Sequence, residues 1–122
     1  MLYALLCYNH EDTVFSWTKE EDDAVIAKRR AVTRQLASNG RLGPVARLMP
    51  TTAAVTLRSG AEPIVLDGPF AETKEQLLGF YVVDCASFDE AITAARKIKG
   101  DEEGGAFEIR PIRHFNPGSE AG

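Results

Sequence analysis

Nearly every residue from 2 to 8 is apolar, a pattern that needs cover on both faces and so predicts a central β-strand. The period then changes. Thr18 and Glu21 have the spacing of a capping box, and Ala24, Val25, Ala27, Ala31, Val32 and Leu36 recur as the buried stripe of a long helix, which Gly40 ends. Residues 41–50 carry Gly43, Pro44 and Pro50 and read as a connecting loop. Residues 52–58 and 62–67 are β-prone runs joined through Ser59-Gly60-Ala61, a hairpin whose turn calls for a positive φ at the glycine. Residues 78–84 form another β-rich run, in which Gly79 marks close backbone approach. Ser87 and Glu90 repeat the capping spacing, and Phe88, Ala91, Ile92, Ala95 and Ile98 make the stripe of a second helix running to about Lys99. An acidic, glycine-rich loop follows. Residues 106–113 then alternate as a final strand, near an edge because Pro111 cannot donate to a ladder.

This order, strand, helix, hairpin, strand, helix, strand, predicts an α+β fold with a ferredoxin-like antiparallel sheet, an added hairpin strand and two helices on one face. The other face of the first strand is apolar too, with Leu2, Ala4 and Leu6 alternating with Tyr3, Leu5 and Cys7, and no further element remains to cover it. A second copy is the expected cover, giving a homodimer with sheets face to face. Residues 1–115 read as a single domain, and residues 116–122 as a flexible tail.

Composition narrows the partners. A formal net charge of −4 argues against non-specific nucleic-acid binding, and the basic cluster Lys28, Arg29, Arg30 and Arg34 reads as a solvated helix face. No apolar run approaches the roughly 18 to 20 residues of a membrane span, and residues 1–7 lack a basic leader, so a soluble, cytoplasmic protein without membrane partners is expected. If the first and penultimate strands pair antiparallel, Cys7 and Cys85 lie about 17 to 20 Å apart at roughly 3.3 Å per residue, too far for a disulfide. If the last strand also runs antiparallel to the first, His10 and His114 fall at opposite ends of the sheet, so no metal site is expected; with no glycine-rich phosphate loop in the chain, no cofactor is expected either.

The decapeptide DGPFAETKEQ, residues 67–76, concentrates the candidate chemistry. Gly68 and Pro69 turn the chain and leave the Asp67 carboxylate at a strand end, where it is either a general acid or base or a cap on the turn. Right-handed crossovers bring the end of the first strand, with Tyr8 and His10, towards the decapeptide. His10 is a helper base or an exposed strand-end residue. Arg110 is a substrate anchor or the partner of Glu108, and Tyr8 and Tyr81 are pocket aromatics or core. Glu72, Lys74 and Glu75 read as one helical turn carrying either ligand contacts or a surface ion-pair cluster.

The stretch DGPFAETKEQLLGFYVVD, Ala91 in the second helix and EIRPI at 108–112 together resemble the YCII-related superfamily, specifically its DGPF-domain branch. The resemblance spans nearly the whole chain. It implies a dimeric α+β barrel and, for some members, small-molecule enzymes using a histidine and an aspartate, of which Asp67 would be the aspartate. The histidine of that branch lies in the first helix, where this chain has Lys28, Arg29 and Arg34 instead. The resemblance also implies an association with extracytoplasmic-function sigma factors. Two functions stay open: a small-molecule enzyme doing cofactor-independent proton transfer, such as elimination or isomerisation, beside the decapeptide, and a non-catalytic ligand-binding or regulatory module tied to a sigma factor.

Overall fold

The computed structural model describes residues 1–62 and 64–118. The chain runs β1 (Leu2–Asn9), α1 (Glu11–Val14), α2 (Lys19–Ser38), β2 (Leu42–Arg47), a 3-10 turn at Thr51–Ala53, β3 (Val55–Arg58), β4 (Ile64–Asp67), β5 (Gln76–Asp84), α3 (Phe88–Lys99) and β6 (Ala106–Pro111). Four strands form one antiparallel sheet in the order β2-β5-β1-β6. With α2 and α3 on one face, this is the ferredoxin-like α+β arrangement that the pattern predicts. No helix among the described residues is long and apolar enough to cross a membrane.

β1 is central, as its unbroken apolar run requires. Tyr3, Leu5 and Cys7 face the helices, with Tyr81 and Val83 of β5 beside them, and Ala91, Ala95 and Ile98 of α3 close the core over them. Leu5, Val83 and Ala91 are fully buried. Each large apolar side chain so buried contributes roughly 1.5 to 3 kcal/mol. The opposite face, which includes Ala4, Leu6 and Phe80, is half-buried and carries no helix.

Four readings of the sequence need correction. The predicted loop at 41–50 contains β2, which pairs with β5 as an edge strand and slips register between Leu42 and Val45. Gly43 and Pro44 occupy that irregularity, and their usual meaning as loop residues hid the strand. The hairpin β3-β4 then forms a two-stranded sheet of its own, inserted between β2 and β5, rather than adding a strand to the main sheet. Gly60 takes no positive φ in its connection. Residues 71–75 are irregular rather than helical, because the Gln76 side chain donates to the carbonyls of Ala71 and Thr73 and folds the segment as a loop.

The fourth correction concerns α2. Its capping box forms as predicted, with Thr18 Oγ1 accepting from the Glu21 amide and Glu21 accepting from the Thr18 amide. The stripe, however, is rotated. Ala24, Ala27 and Ala31 face solvent, while Asp22, Val25, Ile26, Arg29, Val32, Thr33 and Leu36 face the sheet. Alanine is small enough to sit on either face, so it misled the phase. No residue of α2 is fully buried, although Val32 and Leu36 pack on the core.

Gly79 shows why β2 and β5 approach so closely at this end. A Cβ there would lie 2.6 Å from the Ala46 carbonyl oxygen, so only glycine fits, in line with the sequence reading.

Candidate functional site

The N-terminal half of α2 stands off the sheet, and the space between holds a cavity of about 630 Å³. Its floor is the end of β1 and the start of β5, including Cys7, Gly79 and Tyr81, and its roof is Val25, Ile26 and Arg29. Phe15 and Trp17, from the segment after α1, and Met49 close one side. That side is tied in place by Glu11, whose carboxylate accepts from the Thr51 amide and the Thr51 hydroxyl, both at 2.6 Å.

Arg29 reaches into this space from the middle of the inward stripe of α2. Its Nε and Nη2 donate to the two carboxylate oxygens of Glu102 at 2.8 and 2.7 Å, a bidentate pair. Its Nη1 lies 3.4 Å from the Tyr81 hydroxyl, to which it donates. The guanidinium sits over the Phe107 ring, 5.3 Å from the centroid, and Phe107 stacks on Tyr81. Burial opposes the charge on Arg29, but the hydrogen bond to Glu102 and the interactions with Tyr81 outweigh it and hold the guanidinium pKa above its ordinary value.

Glu102 comes from the loop between α3 and β6. Gly104 and Gly105 take φ of +72° and +73°, and a Cβ at Gly105 would lie 2.8 Å from the Tyr8 carbonyl oxygen. The loop therefore needs glycine to pass this close to β1 and present Glu102. Lys99 Nζ fastens it by donating to the carbonyls of Glu102 and Gly104 at 2.9 and 3.1 Å. Across the cavity, Arg47 of β2 grips Asp22 of α2 at 2.8 and 3.3 Å, and the hydrogen bond holds the Asp22 carboxyl below its usual range.

Burial pushes the Cys7 thiol up to about 11, so at neutral pH it is a protonated, weakly nucleophilic wall residue. The Tyr81 hydroxyl is more useful. Its oxygen already accepts from Arg29, which leaves its proton to be donated to a ligand oxygen.

Of the residues singled out in the sequence, Tyr8 and Tyr81 line the cavity. His10 precedes α1 and is exposed, with no side-chain capping bond. Asp67 ends β4, also exposed, and the turn beside it is closed by Gly68, whose amide donates to the Ala54 carbonyl at 2.7 Å and whose carbonyl accepts from Thr56. Glu72 and Lys74 are exposed in the loop at 71–75. The end of β1 does meet the end of the decapeptide, with Asn9 opposite Gln76.

Arg110 does not join them. It lies opposite Ala4 in the β1-β6 ladder and pairs with Glu108 on the sheet face turned away from the helices. The six residues from Ala4 to His10 correspond to roughly 20 Å along the strand, at about 3.3 Å each. The antiparallel register is thus the reason that Arg110 and His10 do not share one site.

Arg29 and Glu102 are the residues that the sequence reading missed. The clustering of Lys28, Arg29, Arg30 and Arg34 points to a solvated face, yet Arg29 faces the sheet. The signal for it was a cation within the set Val25, Ile26, Val32 and Leu36, which has helical spacing.

Comparison with known proteins agrees with the fold. Residues 1–116 match the YCII-related domain. An uncharacterized protein of Rhizobium meliloti (strain 1021) is 57% identical over 120 residues, covering 97% of each chain. The ladder, the helices and these matches together make the chain a member of the YCII-related family.

Proposed function

We propose that this protein binds a small organic molecule in the cavity beneath α2. The observation that carries the proposal is the joining of a cavity of about 630 Å³ to an oriented polar group at its base, the Arg29-Tyr81 pair. Cavities of this size, mostly apolar with a few convergent polar groups, are the usual form of small-molecule sites. The test uses N-phenyl-1-naphthylamine, a neutral dye that brightens in apolar surroundings. Wild type saturates with the dye, and Ile26→Phe, which fills the roof, weakens binding at least tenfold. Dye binding unchanged by Ile26→Phe sinks the proposal.

A proton-transfer enzyme is the second reading, and the Tyr81 hydroxyl is the observation that favours it. Held by Arg29, it has a donor and an acceptor role at one oxygen, as a general acid or base requires. Here Tyr81, rather than Asp67 or His10, handles the proton. Tyr81→Phe abolishes any turnover found while dye binding persists; retained turnover removes the reading.

Assembly as a homodimer is part of the same proposal. The helix-free sheet face and the hairpin β3-β4 support it, since Val55, Leu57, Val65 and Phe70 are all more than 60% exposed. A two-stranded hairpin is marginal alone and needs packing against something. Light scattering should give twice the mass of one chain, and Leu57→Lys with Val65→Lys should halve it. A monomeric wild type at micromolar concentration contradicts the proposal.

A further inference from the structure

The wall of the cavity carries a charge opposite to that of the protein. Among the described residues, five cationic side chains line it, Lys19, Arg29, Arg30, Arg47 and Lys99, against two carboxylates, Asp22 and Glu102. The whole chain has a formal net charge of −4. A concave site with low-dielectric walls concentrates such a local excess and draws anions to it.

The hydrogen bonds limit which anion fits. Glu102 occupies the Nε and Nη2 side of Arg29, so the guanidinium has no free fork there for a phosphate or a second bidentate carboxylate. Of the five guanidinium protons, one on Nη1 and one on Nη2 stay free, and the Tyr81 hydroxyl proton beside Nη1 is a further donor for a ligand oxygen. Around them the cavity is apolar, with Val25, Ile26, Leu78 and Phe107.

We propose that the cavity selects an apolar monocarboxylate, one oxygen of which is held between Tyr81 and Arg29 Nη1, with its hydrocarbon body beneath α2; this rests on the small-molecule reading above. The Glu102 carboxylate sets the selectivity. It neutralises most of the Arg29 charge, so a dianion gains little at the base while still losing its own hydration. Charge on the rim attracts the ligand, and the paired donors at the base orient it.

The experiment displaces bound N-phenyl-1-naphthylamine with hexanoate, hexanamide and adipate at neutral pH. Hexanoate should displace the dye at a concentration at least tenfold lower than hexanamide or adipate. Tyr81→Phe, which removes one hydroxyl without leaving Arg29 unpaired, should reduce the preference for hexanoate over hexanamide, read as the ratio of their displacing concentrations on the same variant, at least fivefold. Equal displacement by hexanoate and hexanamide, or none by hexanoate, overturns the monocarboxylate assignment while the dye-binding cavity stands. A preference for adipate, or one that survives Tyr81→Phe in full, also overturns it. Failure of the dye to enter the cavity is a separate result, read from Ile26→Phe, and removes the site itself.

Discussion

Two helices cover the same face of one sheet in different ways. α3 has 12 residues and buries Ala91, Ala94, Ala95 and Ile98. α2 has 20 residues and buries none completely. The short helix comes closest to α2 and β6, and its Ala91, Ala95 and Ile98 close tightly over the side chains of β1 and β5. The long helix keeps contact through Val32 and Leu36 near its C-terminal end, while the turns before them rise over the cavity. Cohesion and ligand space are therefore separated along the molecule, and a charged residue is tolerated on the inward face only where the packing is loose.

The largest expected effect is on the tight side. Ile98→Ala should cost roughly 3 kcal/mol in chemical denaturation, the usual range for a large aliphatic truncated in a core, with dye binding intact in the folded fraction. A cost below about 1 kcal/mol would remove the contrast. Next comes Glu102→Gln, which leaves the Arg29 charge without its counterion and should cost roughly 1 to 3 kcal/mol. It also frees the guanidinium fork, so hexanoate should bind more tightly; weaker hexanoate binding would show that Glu102 supports the site rather than limits it.

A pH titration reaches the floor of the cavity. The Cys7 thiol has an ordinary pKa of 9.0 and is pushed up to about 11 when folded. The folded state thus holds its proton more firmly than the unfolded one. The resulting stability is complete below pH 9 and is lost as pH rises towards 11. The denaturation midpoint should fall over that interval, and fall less steeply in Cys7→Ala. Some slope should persist, because burial also raises the Cys85 thiol. Identical slopes in the two proteins would contradict the burial argument. The smallest effect is on the roof: Ile26→Ala should change stability by less than about 1 kcal/mol, since a side chain beside an existing void has few contacts to lose. A loss matching that of Ile98→Ala would mean that α2 is packed as tightly as α3.

Legibility in the sequence follows the same division. β1, β5 and α3 can be read because their apolar positions have one consistent period and meet a dry core. β2 hides behind Gly43 and Pro44, whose local preference for a loop is overridden by pairing with β5. The phase of α2 is ambiguous because Ala24, Ala27 and Ala31 carry little preference for either face. The site is harder still. Tyr8 and Tyr81 can be placed from the strands, but the Arg29-Glu102 pair joins residues 73 positions apart and depends on the path of a glycine loop. The decapeptide is conspicuous because turns need distinctive residues, and its turn lies where the chain leaves the inserted hairpin for β5.

The chain has a single tryptophan, and that indole, Trp17, stands in the cavity wall. Its ultraviolet emission is therefore a built-in optical gauge. Filling or drying the space beside it changes the polarity around one chromophore, with no second indole to dilute the signal.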